Sequence, residues 1–450
     1  MNRLSVARVA VAAALIAGLL GGCSGWRAPR LTASAPAADA PRVPVVLVPG
    51  VSGTELRERA TGEVVWGTGA RVIAPHDGGY ASALPIAADD PATARVVAGA
   101  VIEEIRLAGL IHKRVYGAVL EALEGAGYRR GDLDHPRPGD TLFTFAYDWR
   151  RDNVVSARLL REKLEALGRA RGESPLRVAL LCQSNGAHLC RYLIKYGGAP
   201  LDEAEAGRAG PPPTLEVTRL VLVGSSNGGS LRILRTLDRG RQWVPVVGRT
   251  LFPETLFTYR SLFEDLPAYR RDLFLDGDGK PLAVDLYDAA AWERFGWSVY
   301  GEKTSRRLAR GERPDLFATA AERAAYLRRA LDRARRFQAL LARDVPGFGA
   351  TRYDLVQGVS TATPERAVLV HRRGRWRTWF TGDPQLDRRP GLRALVTAAG
   401  DGHATRASQL WLSPQERAAT AAEPFAVRGG HFEQILQLAA LRRLVAILGE

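Results

Sequence analysis

The sequence predicts a protein of the α/β class whose core is a doubly wound, mostly parallel sheet. Apolar runs of strand length recur along the chain, at residues 43–48, 142–145, 178–181, 220–223 and 395–398. Segments with helical periodicity, such as residues 112–127 and 157–171, lie between these runs. This alternation is typical of parallel strands joined by helices that cover both faces of one sheet.

Two stretches interrupt the alternation and predict insertions into one domain that spans residues 43–450. Residues 62–101 contain many glycines and prolines and show little periodicity, so we expect a lid over a site. Residues 245–343 contain aromatic-rich segments followed by an amphipathic helix over residues 321–343. The chain is longer than one minimal α/β domain requires, which agrees with insertions of this size.

The first 22 residues have the features of a targeting segment. Two arginines precede an apolar stretch over residues 9–20, which is too short to span a bilayer as a mature helix. This stretch runs into Leu-Gly-Gly-Cys23, which resembles a bacterial lipobox. The resemblance implies a signal peptide over residues 1–22, cleavage before Cys23, lipid attached to its thiol, and a flexible tether over residues 23–42.

The residue after Cys23 indicates where in the cell envelope the mature protein is located. It is Ser24 rather than aspartate, which in Gram-negative lipoproteins favours the outer membrane. We therefore expect a lipid-anchored protein of the bacterial cell envelope that faces the periplasm, with the membrane surface as a partner. An uncleaved signal anchor is the alternative.

The chain is strongly basic, with a formal net charge of +15 from 63 Lys and Arg against 48 Asp and Glu. The mature charge would be +13, because the signal segment removes two arginines and no acid. No nucleic-acid-binding module accompanies the scattered arginines, so we expect no nucleic-acid partner. Attraction to anionic lipid head groups or lipopolysaccharide is one use of this charge, and a solvated basic surface is the alternative.

The cysteines and acidic motifs predict no metal and no cofactor. Cys182 ends a strand and Cys190 lies well along the next helix, so we expect two buried free thiols rather than a bridge. The motif Asp-Gly-Asp-Gly-Lys at residues 276–280 lacks the third ligand and the distal glutamate of a calcium loop, so it predicts a hairpin turn. No cysteine and histidine spacing indicates zinc.

The segment around Ser184 has the pattern of a nucleophile elbow. The apolar run at residues 178–181 leads into Cys-Gln-Ser184-Asn-Gly186, and a helix is predicted from Ala187. In such an elbow the serine hydroxyl projects above the carboxyl edge of a parallel sheet. Cys182 occupies the position where a glycine is usual. The alternative is a serine that caps a helix.

An acid and a histidine follow Ser184 in the chain order that this fold requires. Asp401 lies in Gly-Asp-Gly directly after the strand-like run at residues 394–398, although Gly-Asp-Gly is also an ordinary turn. His431 lies in Arg-Gly-Gly-His-Phe before an apolar helix predicted over residues 435–448. The imidazole would accept the serine proton and the carboxylate would orient the imidazole.

Six other histidines compete with His431 for the role of base. His403 is two residues from Asp401, so the two side chains would have to fold back on each other. His188 lies on the elbow helix and is expected to pack or to face solvent. The remaining four precede Asp401 and break the expected order: His76, His112, His135 and His371. We therefore place His431 ahead of His403.

The loop after the first predicted strand can supply an oxyanion hole. The run at residues 43–48 leads directly into Pro-Gly-Val51-Ser-Gly-Thr, a loop able to direct backbone N–H groups at a developing negative charge. Val51 and Asn185 would be the two donors. A strand followed by a simple turn is the alternative.

Three segments resemble the lecithin:cholesterol acyltransferase family, whose relatives include phospholipid:diacylglycerol acyltransferases and a lysosomal phospholipase. They are residues 49–56 (PGVSGTEL), 127–132 (GYRRGD) and 145–150 (FAYDWR). The resemblance covers residues 43–448. It implies the α/β-hydrolase fold, a cap formed by residues 245–343, and a triad of Ser184, Asp401 and His431.

The resemblance also assigns a role to Tyr147, Asp148, Trp149 and Arg150, which would shape the acyl pocket beside the nucleophile. Two features depart from the family pattern. The acid turn continues Gly-His-Ala where the family has Thr-Val after its second glycine, and the elbow is Gln-Ser-Asn-Gly-Ala rather than His-Ser-Met-Gly-Gly. A core position for the two aromatic residues is equally compatible with the sequence.

The sequence thus predicts a lipid-anchored serine acyltransferase, phospholipase or esterase that works through an acyl-enzyme, with a lipid or other acyl ester as substrate. A general carboxylesterase or polyester depolymerase is a second enzymatic interpretation. A third is an inactive lipid-binding or envelope structural protein on the same fold. The oligomeric state is left open.

Overall fold

The computed structural model describes residues 42–67, 77–87, 91–107, 111–242, 250–311, 317 and 319–450. The predicted signal peptide, Cys23 and His76 lie outside these ranges, as do residues 23–41 of the predicted tether. Within the described ranges, no helix has the length and apolar character needed to cross a membrane.

The strands and helices with described bounds are numbered in chain order. The strands are β1 (Val45–Val48), β2 (Thr54–Glu58), β3 (Val64–Trp66), β4 (Val96–Val101), β5 (Glu104–Leu107), β6 (Ile111–Arg114), β7 (Leu142–Thr144), β8 (Leu176–Gln183), β9 (Leu215–Val223), β10 (Arg241–Gln242), β11 (Thr250–Leu251), β12 (Phe274–Leu275), β13 (Pro281–Leu282), β14 (Arg352–Gly358), β15 (Thr361–Pro364), β16 (Ala367–Arg372), β17 (Arg375–Trp379), β18 (Thr397–Gly400) and β19 (Phe425–Val427). The helices are α1 (Gly117–Gly125), α2 (Asn153–Arg171), α3 (Gly186–Tyr196), α4 (Leu201–Glu205), α5 (Leu231–Arg239), α6 (Pro253–Phe257), α7 (Arg260–Glu264), α8 (Ala289–Phe295), α9 (Glu302–Ala309), α10 (Ala320–Ala342), α11 (Pro384–Asp387), α12 (Pro390–Leu395), α13 (Arg406–Gln409), α14 (Pro414–Ala418) and α15 (Leu438–Gly449).

A six-stranded sheet forms the centre of the molecule, in the order β19-β14-β9-β8-β1-β7. All five neighbouring pairs are parallel. Val46 and Val48 of β1 face a core that includes residues of α2 and α3, whereas Val45 and Leu47 face a second core with residues of α1 and α15. Helices therefore cover both faces, and the predicted doubly wound parallel sheet is confirmed.

Most predicted strands lie in this sheet, but one does not. The runs at residues 43–48, 142–145, 178–181 and 220–223 fall within or overlap β1, β7, β8 and β9. The run at residues 395–398 was expected to be a further sheet strand, and this is wrong. Residue 395 ends helix α12, and β18 pairs antiparallel with β15 in a separate two-stranded sheet.

Two strands of the central sheet, β14 and β19, were not predicted from the sequence. β14 lies between β9 and β19, and polar residues interrupt its apolar ones. Its Arg352 and Asp354 form ion pairs with other segments. Arg219 of β9, for example, donates to Asp354 at 3.0 Å. The helix predicted over residues 112–127 is also too long, because Ile111–Arg114 forms β6, paired antiparallel with β5.

The two predicted insertions pack against each other. Tyr80, in the first, donates a hydrogen bond to Glu254 in the second at 2.9 Å, and the hydroxyls of Ser82 and Tyr259 are 2.6 Å apart. The amphipathic helix predicted over residues 321–343 is α10, which begins with a capping box formed by Thr319 and Glu322. The predicted hairpin turn at residues 276–280 is confirmed, since it joins the antiparallel strands β12 and β13.

Cys182 and Cys190 form a disulfide, so the expectation of two free thiols is wrong. Cys182 is the penultimate residue of β8, and helix α3 folds back against that strand after the tight turn at Ser184. Cys190 lies one turn beyond the start of α3, on the face that meets the strand. Both residues are completely buried.

A buried ionic cluster joins α3 to α14. The Nε and Nη2 atoms of Arg191 each donate to Glu416 at 2.7 Å, and Lys195 lies 3.3 Å from the same carboxylate. Burial raises the pKa of Glu416, but the two cations outweigh this effect and lower it to about 2. Burial lowers the pKa of Lys195 to about 8, although Glu416 opposes the change.

Replacing Glu416 with glutamine should therefore destabilise the protein by about 3–5 kcal/mol, because the Arg191 charge would stay buried without a counter-charge. The exposed pair of Arg177 and Glu216, 3.4 Å apart, provides the control. Glu216→Gln should cost less than about 1 kcal/mol. Urea unfolding followed by circular dichroism measures both values, and equal losses would contradict a special role for the cluster.

Candidate active site

The turn between β8 and α3 places Ser184 at the carboxyl edge of the central sheet. Ser184 has a φ of 53°, in the left-handed region that non-glycine residues seldom occupy, and its N–H donates to the Val223 carbonyl at 3.1 Å. A Cβ atom on Gly186 would lie 2.6 Å from the Val48 carbonyl oxygen. The glycine thus lets the helix start directly beside β1, which is the geometry of a nucleophile elbow.

The loop after β1 packs directly on this elbow. A Cβ atom on Gly50 would lie 2.7 Å from the Ser184 Cβ. The Gly50 N–H donates to the Tyr116 hydroxyl at 2.9 Å, and that hydroxyl donates to Gln183 Oε1 at 2.8 Å. Tyr116 is almost fully buried, so it fixes the loop to the residue that precedes the candidate nucleophile.

The structure brings Ser184, His431 and Asp401 into one hydrogen-bonded row. Ser184 Oγ lies 2.9 Å from His431 Nε2, and His431 Nδ1 lies 2.8 Å from Asp401 Oδ2. Asp401 directly follows β18, and His431 lies in the loop after β19. The spacing of each pair is within the range for direct proton transfer.

Three further groups donate hydrogen bonds to the Asp401 carboxylate. The N–H groups of His403 and Ala404 donate to Oδ1 at 2.8 and 2.7 Å, and Gln434 Nε2 donates to Oδ2 at 2.8 Å. Burial raises the pKa of Asp401, but His431, His403 and the backbone donors outweigh it and lower the pKa to about 2. The carboxylate is therefore ionised at neutral pH and accepts a hydrogen bond from His431 Nδ1–H, which leaves Nε2 as the base that faces Ser184.

The two predicted oxyanion donors flank the elbow. Among the described residues, neither the Val51 nor the Asn185 backbone N–H has a protein acceptor. Val51 and Ser184 line the same cavity. The Asn185 side chain is occupied elsewhere, since its Nδ2 donates to Asn153 at 2.9 Å and to the Tyr147 hydroxyl at 3.3 Å.

The residues predicted to shape an acyl pocket have different positions. Trp149 lines the cavity with Ser184, and its indole N–H donates to the Thr54 carbonyl at 2.9 Å. Tyr147 lies behind the elbow and donates to the Pro49 carbonyl at 2.9 Å. Asp148 and Arg150 form a buried ion pair at 2.6 Å, through which the chain is tied to the first insertion.

His403 lies beside His431, with 4.5 Å between ring centroids, but its partner is Asp265 at 3.3 Å rather than Ser184. Burial lowers the pKa of His403, and so does the neighbouring His431. His188 is buried and bonded to the Ser226 carbonyl at 2.9 Å. His135 and His371 are exposed, away from the row, and the side chain of His112 lies outside the described residues.

A cavity of about 540 Å³ opens onto Ser184 and His431. One part of its wall is apolar and includes Trp149, Leu256 and Leu262. Another part carries arginine side chains of α5. No cluster of His, Cys, Asp and Glu within the described ranges could hold a metal ion.

Several residues of this site were not predicted from the sequence. Gln434 follows His431 by three residues, a spacing that could have indicated it. Tyr116 and Asp265 are distant in the chain from the residues that they contact, and no local pattern distinguishes them. The arginines of α5 are similar to the many others in this basic chain.

Comparisons with known proteins support the fold. No protein-family model matches the chain, and no curated protein matches it. Among solved structures, the crystal structure of the Tle4-Tli4 complex is similar, with 14% sequence identity and a TM-score of 0.57. The match covers 91% of this chain and 98% of that one. The chain has the α/β-hydrolase fold. Membership of the lecithin:cholesterol acyltransferase family stays a prediction.

The contact at Gly186 yields a direct test of the elbow. Gly186→Ala would place a methyl group against the Val48 carbonyl, so it should destabilise the protein by about 1–3 kcal/mol. Gly125→Ala is the control, because a Cβ there meets nothing within 4 Å and the change improves helix propensity. Urea unfolding measures both, and an unchanged midpoint for Gly186→Ala would contradict the tight turn.

Asp401 should contribute stability that depends on pH. Its pKa falls from about 3.8 to about 2 on folding, so the contribution of roughly 2 kcal/mol is present above pH 4 and is lost as pH falls toward 2. The difference in unfolding free energy between wild type and Asp401→Asn should therefore shrink between pH 5 and pH 3. The exposed Asp278→Asn is the matched control. A constant difference would exclude the ionised, bonded carboxylate.

Proposed function

We propose that the protein is a serine-dependent enzyme that cleaves or transfers the acyl group of lipid esters through an acyl-enzyme. The observation that carries this proposal is the row of Ser184, His431 and Asp401, with both hydrogen bonds at 2.9 Å or less. A decayed site would have no physical need to keep the tautomer-fixing bonds or the strained backbone of Ser184.

In the first half of the reaction Ser184 Oγ attacks the ester carbonyl carbon while His431 Nε2 takes the hydroxyl proton. The carbonyl oxygen becomes an oxyanion, which the N–H groups of Val51 and Asn185 can stabilise. Asp401 stabilises the imidazolium through Nδ1. His431 then gives the proton to the alkoxide leaving group, and the acyl group remains on Ser184.

In the second half an acceptor hydroxyl attacks the acyl carbon and gives its proton to His431. The bond between Ser184 Oγ and the acyl carbon then breaks, and His431 returns the proton to Oγ. Water as acceptor yields a free fatty acid, and an alcohol yields a new ester. The outcome depends on whether the cavity excludes water and holds the alcohol. The apolar wall around Trp149 suits an acyl chain, which favours lipid esters over small polar ones.

Two further features support a lipid substrate at a membrane. The segments at residues 49–56, 127–132 and 145–150 resemble a family of lipid acyltransferases and phospholipases. The predicted lipid on Cys23 would hold the enzyme at the envelope membrane, where its substrates lie. Residues 62–101 and 245–343 would act as lid and cap. Ser82 of the first stretch contacts Tyr259 of the second, and Tyr259 lines the cavity.

Labelling with a fluorophosphonate probe tests the activated serine. Wild type should be labelled at Ser184, Ser184→Ala should not be labelled, and His431→Ala should react about 100- to 10,000-fold more slowly because the general base is lost. His371→Ala removes an exposed histidine outside the row and should react like wild type. Mass spectrometry of the labelled peptide locates the probe.

The same preparation separates transfer from hydrolysis. Phospholipid dispersed in detergent is supplied with or without a long-chain alcohol, and the acyl products are identified. A new ester indicates an acyltransferase, and fatty acid alone indicates a phospholipase. If folded wild type is not labelled even in detergent, the enzyme proposal is wrong.

A further inference from the structure

Helix α5 presents a row of cations to the cavity of the candidate active site. Arg232, Arg235 and Arg239 are spaced three and four residues apart, which places them on one side of the helix. Arg241 follows directly after α5. All four side chains line the cavity that contains Ser184 and His431.

This row is fixed to the turn that carries Asp401. Ser230, the N-cap of α5, donates its hydroxyl to the His403 carbonyl and its N–H to the Asp265 carbonyl at 2.8 Å. Arg232 Nη1 donates to the Gly402 carbonyl at 2.9 Å. The cations are therefore held beside the reacting groups by the same turn that orients the imidazole.

Two of these four cations lack an ion pair within the part of the chain that the structure describes. Arg239 is paired with Asp383 at 2.5 Å and with Asp238 at 3.6 Å. Arg232 and Arg235 form no ion pair with any described residue, and the Nε of Arg235 is buried without a hydrogen-bond partner.

The charges also act on one another. Burial lowers the pKa of Arg232, and the neighbouring Arg235 adds to the effect. Burial likewise lowers the pKa of Arg241 to about 10, and Arg232 contributes to that shift. A bound anion would relieve this repulsion.

The described lining offers little for a positively charged group. Its carboxylate is Asp265, which already accepts from the Ser226 hydroxyl at 2.5 Å and lies against His403. A quaternary or primary ammonium group in this cavity would lie next to arginine side chains and be repelled by their charge. A phosphate, by contrast, matches the planar fork of a guanidinium in charge and geometry.

We propose that Arg232 and Arg235 bind a phosphate group, so that the site prefers acyl esters with a net negative head group over zwitterionic ones. This inference rests on the proposed function, because it names the substrate class of the same site. The phosphate would sit against the wall formed by α5 while the ester carbonyl lies at Ser184.

Monomeric lipids test the preference without a charged surface. Dibutyroyl phosphatidylglycerol and dibutyroyl phosphatidylcholine, both below their critical micelle concentrations, differ in head group but not in acyl chain. Wild type should show a higher kcat/KM for phosphatidylglycerol. Arg235→Gln should lower the ratio of the two kcat/KM values about tenfold, as expected for loss of one charge-assisted contact.

Two variants complete this assay. Arg235→Lys keeps the charge but loses the guanidinium fork, so it should retain more of the preference than Arg235→Gln does and less than wild type. Arg208→Gln removes an exposed arginine on another part of the surface and should leave the ratio unchanged. An equal kcat/KM for the two lipids in wild type, or an unchanged ratio in Arg235→Gln, overturns the inference while the esterase activity stands.

Binding to catalytically silent protein gives a readout that does not depend on turnover. Ser184→Ala protein is titrated calorimetrically with glycerol 3-phosphate, and the titration is repeated in the Arg232→Gln, Arg235→Gln background. We expect binding that weakens at least about tenfold in the triple variant. Absence of binding overturns the inference even if no ester is cleaved.

Inorganic phosphate is titrated in parallel to identify the source of the anion. Tighter binding of glycerol 3-phosphate supports a lipid head group. Binding of inorganic phosphate alone, together with equal turnover of the two lipids, indicates a site for free phosphate and overturns the inference.

Discussion

The candidate site depends on a single steric constraint. Ser184 and Gly186, just after β8, lie very close to Val48 and Gly50 at the end of β1. Ser184 has a left-handed backbone conformation because the loop at Gly50 and the start of the helix at Gly186 pack closely against it. Strain of this kind costs of order 1–3 kcal/mol and persists only where the surroundings enforce it. Here the enforcing parts are two buried strands, a disulfide at Cys182 and the buried charge of Arg191 on the same helix.

The acid and the base are held by different means. His431 follows β19, an edge strand of the six-stranded sheet, whereas Asp401 follows β18 of a separate two-stranded sheet and relies on bonds from its own turn and from Gln434. Ser230 and Arg232 of the α5 region donate hydrogen bonds to the carbonyl groups of this turn. One compact set of contacts therefore orients the Asp401 carboxylate, places the His403 ring 4.5 Å from the His431 ring and fixes the arginine row. The proposed recognition of a head group and the proposed proton transfer would share this support.

Local patterns in the sequence predict those parts of the site that need special backbone. Ser184, Asp401 and His431 each have a glycine within two residues, follow strands or loops, and stand in a fixed chain order, so each leaves a signal. Arg232, Asp265 and Tyr116 owe their positions to the packing of distant segments, and their neighbours in the chain give no local signal of those positions. The bond between Cys182 and Cys190 was missed for a related reason, since it depends on how closely a helix folds back on its strand.

The long separation between the reacting residues affects when the protein can act. His431 lies 247 residues beyond Ser184, and the strands β14 and β19 that complete the sheet also come late. At typical elongation rates, roughly 12 to 50 s pass between synthesis of the nucleophile and of its base. During that interval the early strands can pair and bury their apolar faces, while the serine has no base. Under the proposed function, a nascent chain that ends before His431 would leave nearby lipid esters intact, because its serine has no base.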